Sequence, residues 1–233
     1  MIVVKGLSKG FASGEGALEV IRDLSFSVAE GAFFGVIGSS GCGKTTLLRM
    51  ICGFEKPSEG SIFVNGREVS RPSRQALMVF QSFEQLLPWK TVLGNLTYPL
   101  LATKTAASRK EAKETAERFL EEVGLGDFAK RYPYQLSGGM KQRLAVARAL
   151  CLTPKVLLMD EPFAALDSVT RSKMQDLTLR LWQKYGLTIV FVTHSIAEVT
   201  RLADRILLFG PTAKIIDNDA SAKEIIAQTL GFI

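Results

Sequence analysis

The sequence has 233 residues, with 29 lysines and arginines, 23 acidic residues, three cysteines and one histidine. Three cysteines without a C-x-x-C pair argue against a disulfide framework or a cysteine-rich zinc site, and one histidine cannot build a histidine-based metal centre. With no uncharged apolar stretch of the roughly 18–20 residues that cross a bilayer, and no secretory signal, we expect a soluble, cytosolic protein. The net charge of +6 points towards an anionic partner: nucleic acid, a membrane surface or phosphates.

Short apolar runs alternate with helical patterns along the chain. The first half predicts strands within 1–36 (with an apolar run at 32–37), a helix at 44–51, strands at 61–64 and 77–80, and a mostly helical stretch at 84–152. The second half predicts strands at 156–159, 188–192 and 205–209, and a helix from Asp167 or Ser168 to near Gly186. Capping boxes are predicted at Ser108, Ser195 and Ser221.

This alternation of buried strands and helices indicates an α/β fold with a mostly parallel core sheet. The stretch 84–152 is best interpreted as a helical insertion into that fold.

Residues 38–45 match G-x-x-x-x-G-K-[ST], the phosphate-binding P-loop. Glycines let the backbone N–H groups of such a loop turn inward around a polyphosphate, and the following helix N-terminus adds a partial positive charge. Lys44 can reach the β- and γ-phosphates, Thr45 can place its hydroxyl on Mg²⁺, and Thr46 can reach a nearby phosphate. The predicted nucleotide-binding residues here are Gly38, Ser39, Ser40, Gly41, Cys42, Gly43, Lys44, Thr45 and Thr46.

Two carboxylates, Asp160 and Glu161, follow the apolar run 156–159. By itself, a strand that ends in Asp-Glu is more often a capped turn. In a P-loop fold, however, Asp160 is placed to hold Mg²⁺ through water, and Glu161 can accept a proton from an attacking water as a general base. Together with the P-loop, the pair predicts hydrolysis as well as binding.

A second glycine-rich turn, Ser137-Gly138-Gly139, precedes a helix that runs through Cys151. A flexible turn at a helix N-terminus is a ready anion site. The alternative is an ordinary serine N-cap beside a glycine-rich linker, and position alone does not choose between the two.

Taken together, these motifs resemble the ATP-binding subunit of an ABC (ATP-binding cassette) transporter over nearly the whole chain. The order is that of the family: the P-loop, the Q-loop glutamine Gln81, the signature at 136–142, the Walker B carboxylates, the D-loop with Asp167, and the switch histidine His194. The resemblance implies a P-loop core with a mostly parallel sheet, an N-terminal antiparallel β subdomain and an inserted helical signature subdomain. It also implies that Phe11 stacks on adenine.

The family mechanism implies that two ATPases pair head to tail, with each ATP between the P-loop of one subunit and the signature of the other. Gln81 would sense Mg²⁺ and the attacking water, and His194 would contact the γ-phosphate and hold Glu161 and the water in line. The implied catalytic residues are Glu161, His194, Gln81 and Lys44. The implied metal ligands are Thr45, Gln81 and Asp160. The implied further nucleotide contacts are Ser137, Gly138, Gly139 and Asp167.

One ABC ATPase domain is expected over 1–233, with 1–83 and 153–233 as the core and β subdomain, 84–152 as the insertion, and no C-terminal regulatory domain. The run Leu-Leu-Pro-Trp at 86–89 is similar to importers of nitrate, sulfonates, taurine and bicarbonate. In the family this region faces the membrane permease, which makes Leu87 and Trp89 candidate contacts. The alternative is that Trp89 packs inside the insertion.

The resemblance implies a homodimer or a paired ATPase subunit, an integral membrane permease contacted near 81–89, and an extracytoplasmic solute-binding protein. It places the chain on the cytoplasmic face of the inner membrane. Part of the charge of +6 then faces phosphates and the rest suits an anionic membrane face, so no nucleic acid is expected. Three rivals remain: an exporter or lipid-handling ATPase, a non-transport ABC ATPase acting in translation or DNA repair, and a P-loop kinase.

Overall fold

A computed structural model describes residues 1–13, 16–82, 85–210 and 213–230 of the chain. The strands are β1 (Ile2–Ser13), β2 (Gly16–Val28), β3 (Phe33–Ile37), β4 (Glu59–Val64), β5 (Arg67–Glu68), β6 (Ala76–Val79), β7 (Val156–Asp160), β8 (Thr188–Thr193), β9 (Arg205–Leu208) and β10 (Lys214–Asp217). The α-helices are α1 (Lys44–Cys52), α2 (Val92–Ala102), α3 (Arg109–Glu122), α4 (Gly138–Leu150), α5 (Ser168–Tyr185), α6 (Ile196–Leu202) and α7 (Ala222–Leu230).

The contacts between residues divide the chain into two units. Residues 1–78, 155–161 and 181–233 form the first unit, and residues 79–154 and 162–180 form the second. The predicted boundaries of core and insertion, at 84 and 152, stay a prediction.

The first unit contains an antiparallel sheet with the strand order β2-β1-β4-β5. Its central strand, β1, pairs antiparallel with both β2 and β4, so that Ile2 lies opposite Val28 on one side and Val64 on the other. All three of these side chains are buried, because alternate residues of the strands face the apolar side of the sheet. This is the antiparallel N-terminal sheet that the sequence predicted.

A six-stranded sheet with the order β10-β9-β3-β8-β7-β6 forms the core. Strand β3 is parallel to β8 and β9, β7 is parallel to β8, and β10 adds an antiparallel edge to β9. Every residue of β3, β7 and β8 is buried, as expected for strands covered on both faces. The sequence did not predict β10, a four-residue edge strand with only one buried residue and therefore little apolar pattern.

The carboxyl ends of parallel strands meet at one edge of a sheet, which is where ligands bind in such folds. In this chain β3 runs into the P-loop, β7 ends at Asp160, and β8 ends just before His194. The topology therefore brings three separate motifs of the sequence to the same edge.

In the second unit, helices α2, α3 and α4 pack through apolar faces. The buried residues of α3 are Ala112, Ala116, Phe119 and Leu120, which form one stripe at helical spacing while the charged residues face outward. None of the helices among the described residues is long and apolar enough to span a bilayer.

The three predicted capping boxes have different outcomes. Ser108 accepts a hydrogen bond from the N–H of Glu111 at 3.1 Å and Ser195 accepts one from the N–H of Glu198 at 3.4 Å, so both are N-caps. The carboxylate of Glu111 returns to the N–H of Ala107 at 2.7 Å, one residue before the cap. Ser221 differs, because its hydroxyl donates to Asp219 Oδ1 at 2.6 Å.

Candidate active site

The P-loop connects β3 to α1 and contains glycines where a side chain would not fit. A β-carbon on Gly38 would lie 2.3 Å from the carbonyl oxygen of Phe209, and one on Gly43 would lie 2.6 Å from Val20 Cγ1. Gly43 also has a φ of 105°, in the left-handed region that favours glycine. Close packing and backbone conformation therefore both require glycine in this loop.

Lys44 begins α1 and turns its ammonium group back into the loop. Its Nζ donates to the carbonyl oxygens of Gly38 at 2.9 Å and Ser39 at 2.7 Å. The residue is only 5% exposed, so these carbonyl groups replace most of the water that would otherwise solvate the charge. Lys44 thus fixes a positive charge inside the loop, beside the N-terminus of α1.

Thr45 and Asp160 join the start of α1 to the end of β7. Thr45 Oγ1 donates to Asp160 Oδ1 at 3.0 Å. Burial raises the pKa of Asp160 above its ordinary value, while the hydrogen bond from Thr45 and the charge of Lys44 act in the opposite direction. A hydroxyl and a carboxylate are oxygen donors of the kind that Mg²⁺ takes together with phosphate oxygens. These two side chains therefore fit a magnesium site.

Glu161 and His194 meet beyond the ends of β7 and β8. His194 Nδ1 lies 3.3 Å from Glu161 Oε2, and the N–H of Glu161 donates to the carbonyl oxygen of Val192 at 3.0 Å. Glu161 has a φ of 42°, which is uncommon for a residue with a side chain and costs roughly 1–3 kcal/mol. Such strain persists only where surrounding contacts impose it, and here it directs the carboxylate towards the histidine.

Hydrogen bonds on both sides of His194 fix its backbone. The hydroxyl of Thr193 donates to Glu198 Oε2 at 2.6 Å and accepts from the N–H of Ser195 at 3.0 Å. Thr193 and Glu198 are both buried. Sequence reasoning identified Glu198 only as part of a helix cap and missed this contact, because the bond depends on how α6 packs back onto β8.

A cavity of about 280 Å³ opens beside the P-loop. Its lining residues are Val20, Ser40, Gly41, Gly43, Lys44, Thr45, Thr46 and Glu161. The cavity therefore brings together six of the predicted phosphate-loop residues, including Lys44, and the predicted base Glu161. Val20 was not predicted, since nothing in the sequence distinguishes it from other strand residues.

Phe11 lies on β1 and is 39% exposed. The Lys9 ammonium lies 4.8 Å from the centre of its ring, a cation–π contact. Phe11 is not among the residues that line the cavity beside the P-loop. Its contact with adenine stays a prediction.

The glycine-rich turn at 137–139 belongs to the second unit, where it begins α4. Ser137 is the N-cap, and its Oγ accepts from the N–H of Met140 at 3.4 Å. Gly138 is the first residue of the helix. A β-carbon on Gly139 would lie 2.4 Å from Thr170 Cγ2, so α5 packs too closely here for any side chain. The serine N-cap, one of the two interpretations of this turn from the sequence, is present. The anion-binding role of the turn stays a prediction.

Asp167 and Gln81 also belong to the second unit. Asp167 accepts from the N–H groups of Val169 at 3.1 Å and Thr170 at 3.0 Å, and hydrogen bonds from Thr170 lower the pKa of this exposed carboxyl. Asp167 therefore caps α5. It is one of the two residues at which the sequence predicted that this helix begins. Gln81 lies exposed in the bend after β6.

A buried amide holds the turn that carries Trp89. Asn95 is fully buried; its Oδ1 accepts from the N–H of Leu87 at 2.8 Å, and its Nδ2 donates to the carbonyl oxygens of Leu87, Lys90 and Thr91 at 3.0 to 3.2 Å. Trp89 itself is 70% exposed. The alternative that Trp89 packs inside the helical insertion is therefore wrong.

A sequence profile described as ABC transporter matches residues 21–164. The chain belongs to the ABC transporter family. It is an ATP-hydrolysing ATPase with the ABC ATPase fold, as its motifs predicted.

Two relatives and one solved structure place this ABC ATPase more closely. It is 40% identical over 211 residues to the nitrate import ATP-binding protein NrtD of Synechococcus elongatus, covering 90% of this chain and 77% of that protein. It is 39% identical over 224 residues to the aliphatic sulfonates import ATP-binding protein SsuB of Bacillus thuringiensis, covering 94% of this chain and 87% of that protein. The ATP-binding cassette MJ0796, solved as a dimer in a post-hydrolysis state with ADP and Pi, superposes with a TM-score of 0.82 and 32% identity, covering 92% of this chain and 98% of that chain.

Proposed function

We propose that this ABC ATPase drives import of a small anionic solute through a membrane permease, by Mg²⁺-dependent ATP hydrolysis in a head-to-tail dimer. The observation that carries the hydrolytic part is the 3.3 Å contact between Glu161 and His194 beside the P-loop cavity. The solute class is supported by the names of relatives that import nitrate and aliphatic sulfonates.

The P-loop binds the phosphates of ATP. Lys44 is already held inside the loop by two carbonyl oxygens, and it offers its charge to the β- and γ-phosphates. Ser40, Gly41, Gly43 and Thr46 surround the same cavity with backbone and hydroxyl groups. Since α1 begins at the cavity, the dipole of this helix adds to the attraction for anions.

Thr45 and Asp160 would hold Mg²⁺, and Gln81 would add a further ligand. Bound Mg²⁺ supplies charge that neutralises the phosphate oxygens during transfer. The raised pKa of Asp160 in the free protein reflects burial, and a bound cation would favour its ionised form.

Glu161 accepts the proton of the attacking water while the water oxygen bonds to the γ-phosphorus and the bond to the leaving ADP oxygen breaks. His194 keeps that carboxylate in line and contacts the γ-phosphate. The strained backbone of Glu161 and the hydrogen bonds around His194 both favour this arrangement before substrate binds.

The second half of each site comes from another subunit. Ser137 caps α4 and Gly138 and Gly139 begin it, where N–H groups have no partner within the helix, and Asp167 lies at the start of α5. A head-to-tail pair places these groups across from the P-loop of the partner. The dimeric structure of the similar cassette MJ0796 supports pairing of this kind.

The turn around Trp89 contacts the permease at the cytoplasmic membrane face. Trp89 is held outward by a turn that Asn95 fixes, and Tyr98 and Leu101 are exposed on the helix that follows. A rigid turn with an exposed aromatic side chain suits a docking contact.

Replacement of Glu161 by glutamine tests the hydrolytic mechanism. Glu161→Gln keeps the size and the hydrogen-bonding capacity of the side chain but cannot take a proton, so ATP turnover falls roughly 10²-fold or more while ATP binding persists. Glu117→Gln, on the exposed face of α3, is the matched control. Turnover unchanged by Glu161→Gln would exclude Glu161 as the base.

The solute class is tested with the ATPase reconstituted with its permease and binding protein. Nitrate, bicarbonate, an aliphatic sulfonate, taurine and a pyrimidine are added separately, and ATP turnover and the direction of solute transport are measured. Stimulation by one of the anions supports the proposal. Stimulation only by the pyrimidine overturns the solute class. Transport in the outward direction overturns the proposal of import. Neither result affects the hydrolytic mechanism.

A further inference from the structure

The segment after β6 that carries Gln81 is held by the side chain of Gln85. Gln85 Nε2 donates to the carbonyl oxygens of Phe80 at 3.1 Å and Ser82 at 3.3 Å. Its Oε1 accepts from the N–H of Phe80 at 3.5 Å. One side chain therefore binds the backbone on both sides of Gln81.

Gln85 is in turn tied to the helix that begins at the signature turn. The guanidinium of Arg148, in the last turn of α4, donates to the carbonyl oxygen of Gln85. Arg148 is partly buried, and burial lowers the pKa of its guanidinium, so it does not simply extend into solvent. The structure thus places the guanidinium of Arg148 against a backbone carbonyl.

Gln81 and Ser82 are both exposed, where water can satisfy the backbone groups without help from a side chain. Ordering Gln85 costs side-chain entropy, roughly as much as one net hydrogen bond returns. Three hydrogen bonds on one side chain also fix the direction of this bend.

We propose that Gln85, which Arg148 in turn holds, is a positioning residue for Gln81. The inference rests on the proposed role of Gln81 as a ligand of Mg²⁺ and the attacking water. In this proposal Gln85 acts through Gln81 and not on the nucleotide itself.

The test is a double-mutant cycle on ATP hydrolysis by the purified protein, with Gln81→Ala, Gln85→Ala and the double variant. Gln85→Ala lowers turnover roughly tenfold, a factor in the range of one or two lost hydrogen bonds. In the Gln81→Ala background the same change has no further effect, because Gln85 acts only through Gln81. ATP affinity without Mg²⁺ is unchanged throughout.

A role in folding alone predicts a different result. Gln85→Ala would then lower turnover by the same factor in both backgrounds, together with the thermal midpoint, and this outcome overturns the inference. So does wild-type turnover in Gln85→Ala. Gln183→Ala, at an exposed position of α5, is the matched control. Arg148→Met keeps the apolar part of that side chain, removes its donor and shows the same dependence on Gln81 as Gln85→Ala.

Failure of the proposed function is distinguishable from failure of this inference. If Gln81→Ala alone leaves turnover and its dependence on Mg²⁺ unchanged, then Gln81 has no catalytic role and the proposed function is wrong at that residue. If Gln81→Ala lowers turnover but Gln85→Ala does not, then the role of Gln81 stands and only the positioning role of Gln85 is wrong.

Discussion

His194 Nδ1 lies 3.3 Å from Glu161 Oε2, although the two residues are 33 positions apart in the sequence. Glu161 follows β7 and His194 follows β8, so the parallel pairing of these neighbouring strands brings the side chains together. His194 is about half exposed and Glu161 is more buried, with side-chain exposures of 55% and 19%. The carboxylate is thus directed by the structure, while the histidine stays accessible to a ligand.

Replacement of His194 tests this contact. His194→Ala leaves ATP affinity nearly unchanged and lowers the turnover number by about 10²-fold, because the carboxylate loses the group that holds it in line. The measurement is steady-state ATP hydrolysis, with turnover number and KM determined separately. A rise in KM with an unchanged turnover number would show that His194 binds nucleotide without aligning the base.

The buried hydroxyl of Thr193 stabilises the turn that carries His194. Thr193→Val removes the donor to Glu198 and the acceptor for the N–H of Ser195, and we expect a loss of about 1–3 kcal/mol in the free energy of unfolding. Urea denaturation measures this loss. Thr193→Ser keeps the hydroxyl and is the control; an equal loss in both variants would show that the hydrogen bonds of Thr193 are not the cause.

Asp160 makes the stability of the free protein depend on pH. Its pKa is higher in the folded than in the unfolded state, so the folded state binds protons more tightly and stability falls as pH rises above about 4. Asp160→Asn keeps the acceptor for Thr45 and removes the buried charge. The variant is therefore more stable than the wild type at pH 7 without nucleotide, and the difference disappears below about pH 4.

Denaturation at several pH values measures this difference. Asp127→Asn, at an exposed position, shows no such convergence and serves as the control. A gap between Asp160→Asn and the wild type that is independent of pH would contradict the prediction. ATP turnover by Asp160→Asn falls in any case, because the variant loses a predicted Mg²⁺ ligand.

Gly139 and Thr170 test whether the signature turn depends on close packing against α5. Gly139→Ala places a methyl group where Thr170 Cγ2 lies 2.4 Å away, and overpacking of this kind costs about 1–3 kcal/mol. Thr170→Ser removes the methyl group that clashes and keeps the hydroxyl. The double variant therefore recovers most of the loss in urea denaturation, and no recovery would mean that the helix start itself excludes alanine.

Trp89 is expected to matter for coupling and not for folding. Trp89→Ala leaves the thermal midpoint within 1–2 °C of the wild type, roughly the effect of a surface change, since the side chain is 70% exposed. Solute-stimulated ATP turnover in the reconstituted system falls, while basal turnover of the isolated protein is unchanged. Full stimulation by solute in Trp89→Ala would remove this side chain from the proposed permease contact.

Much of the fold was predictable because its signals are local. The apolar runs of β3, β7 and β8 and the serine caps of α3 and α6 are visible in a few neighbouring residues. Strand β10 was not predicted, since an edge strand is selected by backbone pairing with its neighbour and not by its own side chains.

The sequence by itself determined the family, the ATPase chemistry and the residue types of the phosphate loop, because the glycines and the lysine of that loop act within eight consecutive positions. Only the tertiary structure decided which distant residues meet: Glu161 with His194, Thr193 with Glu198, and Gln85 with Arg148. It also showed that Trp89 faces outward. Such contacts depend on strand order and helix packing, which arise from the whole chain burying its apolar surface, and no local pattern records them.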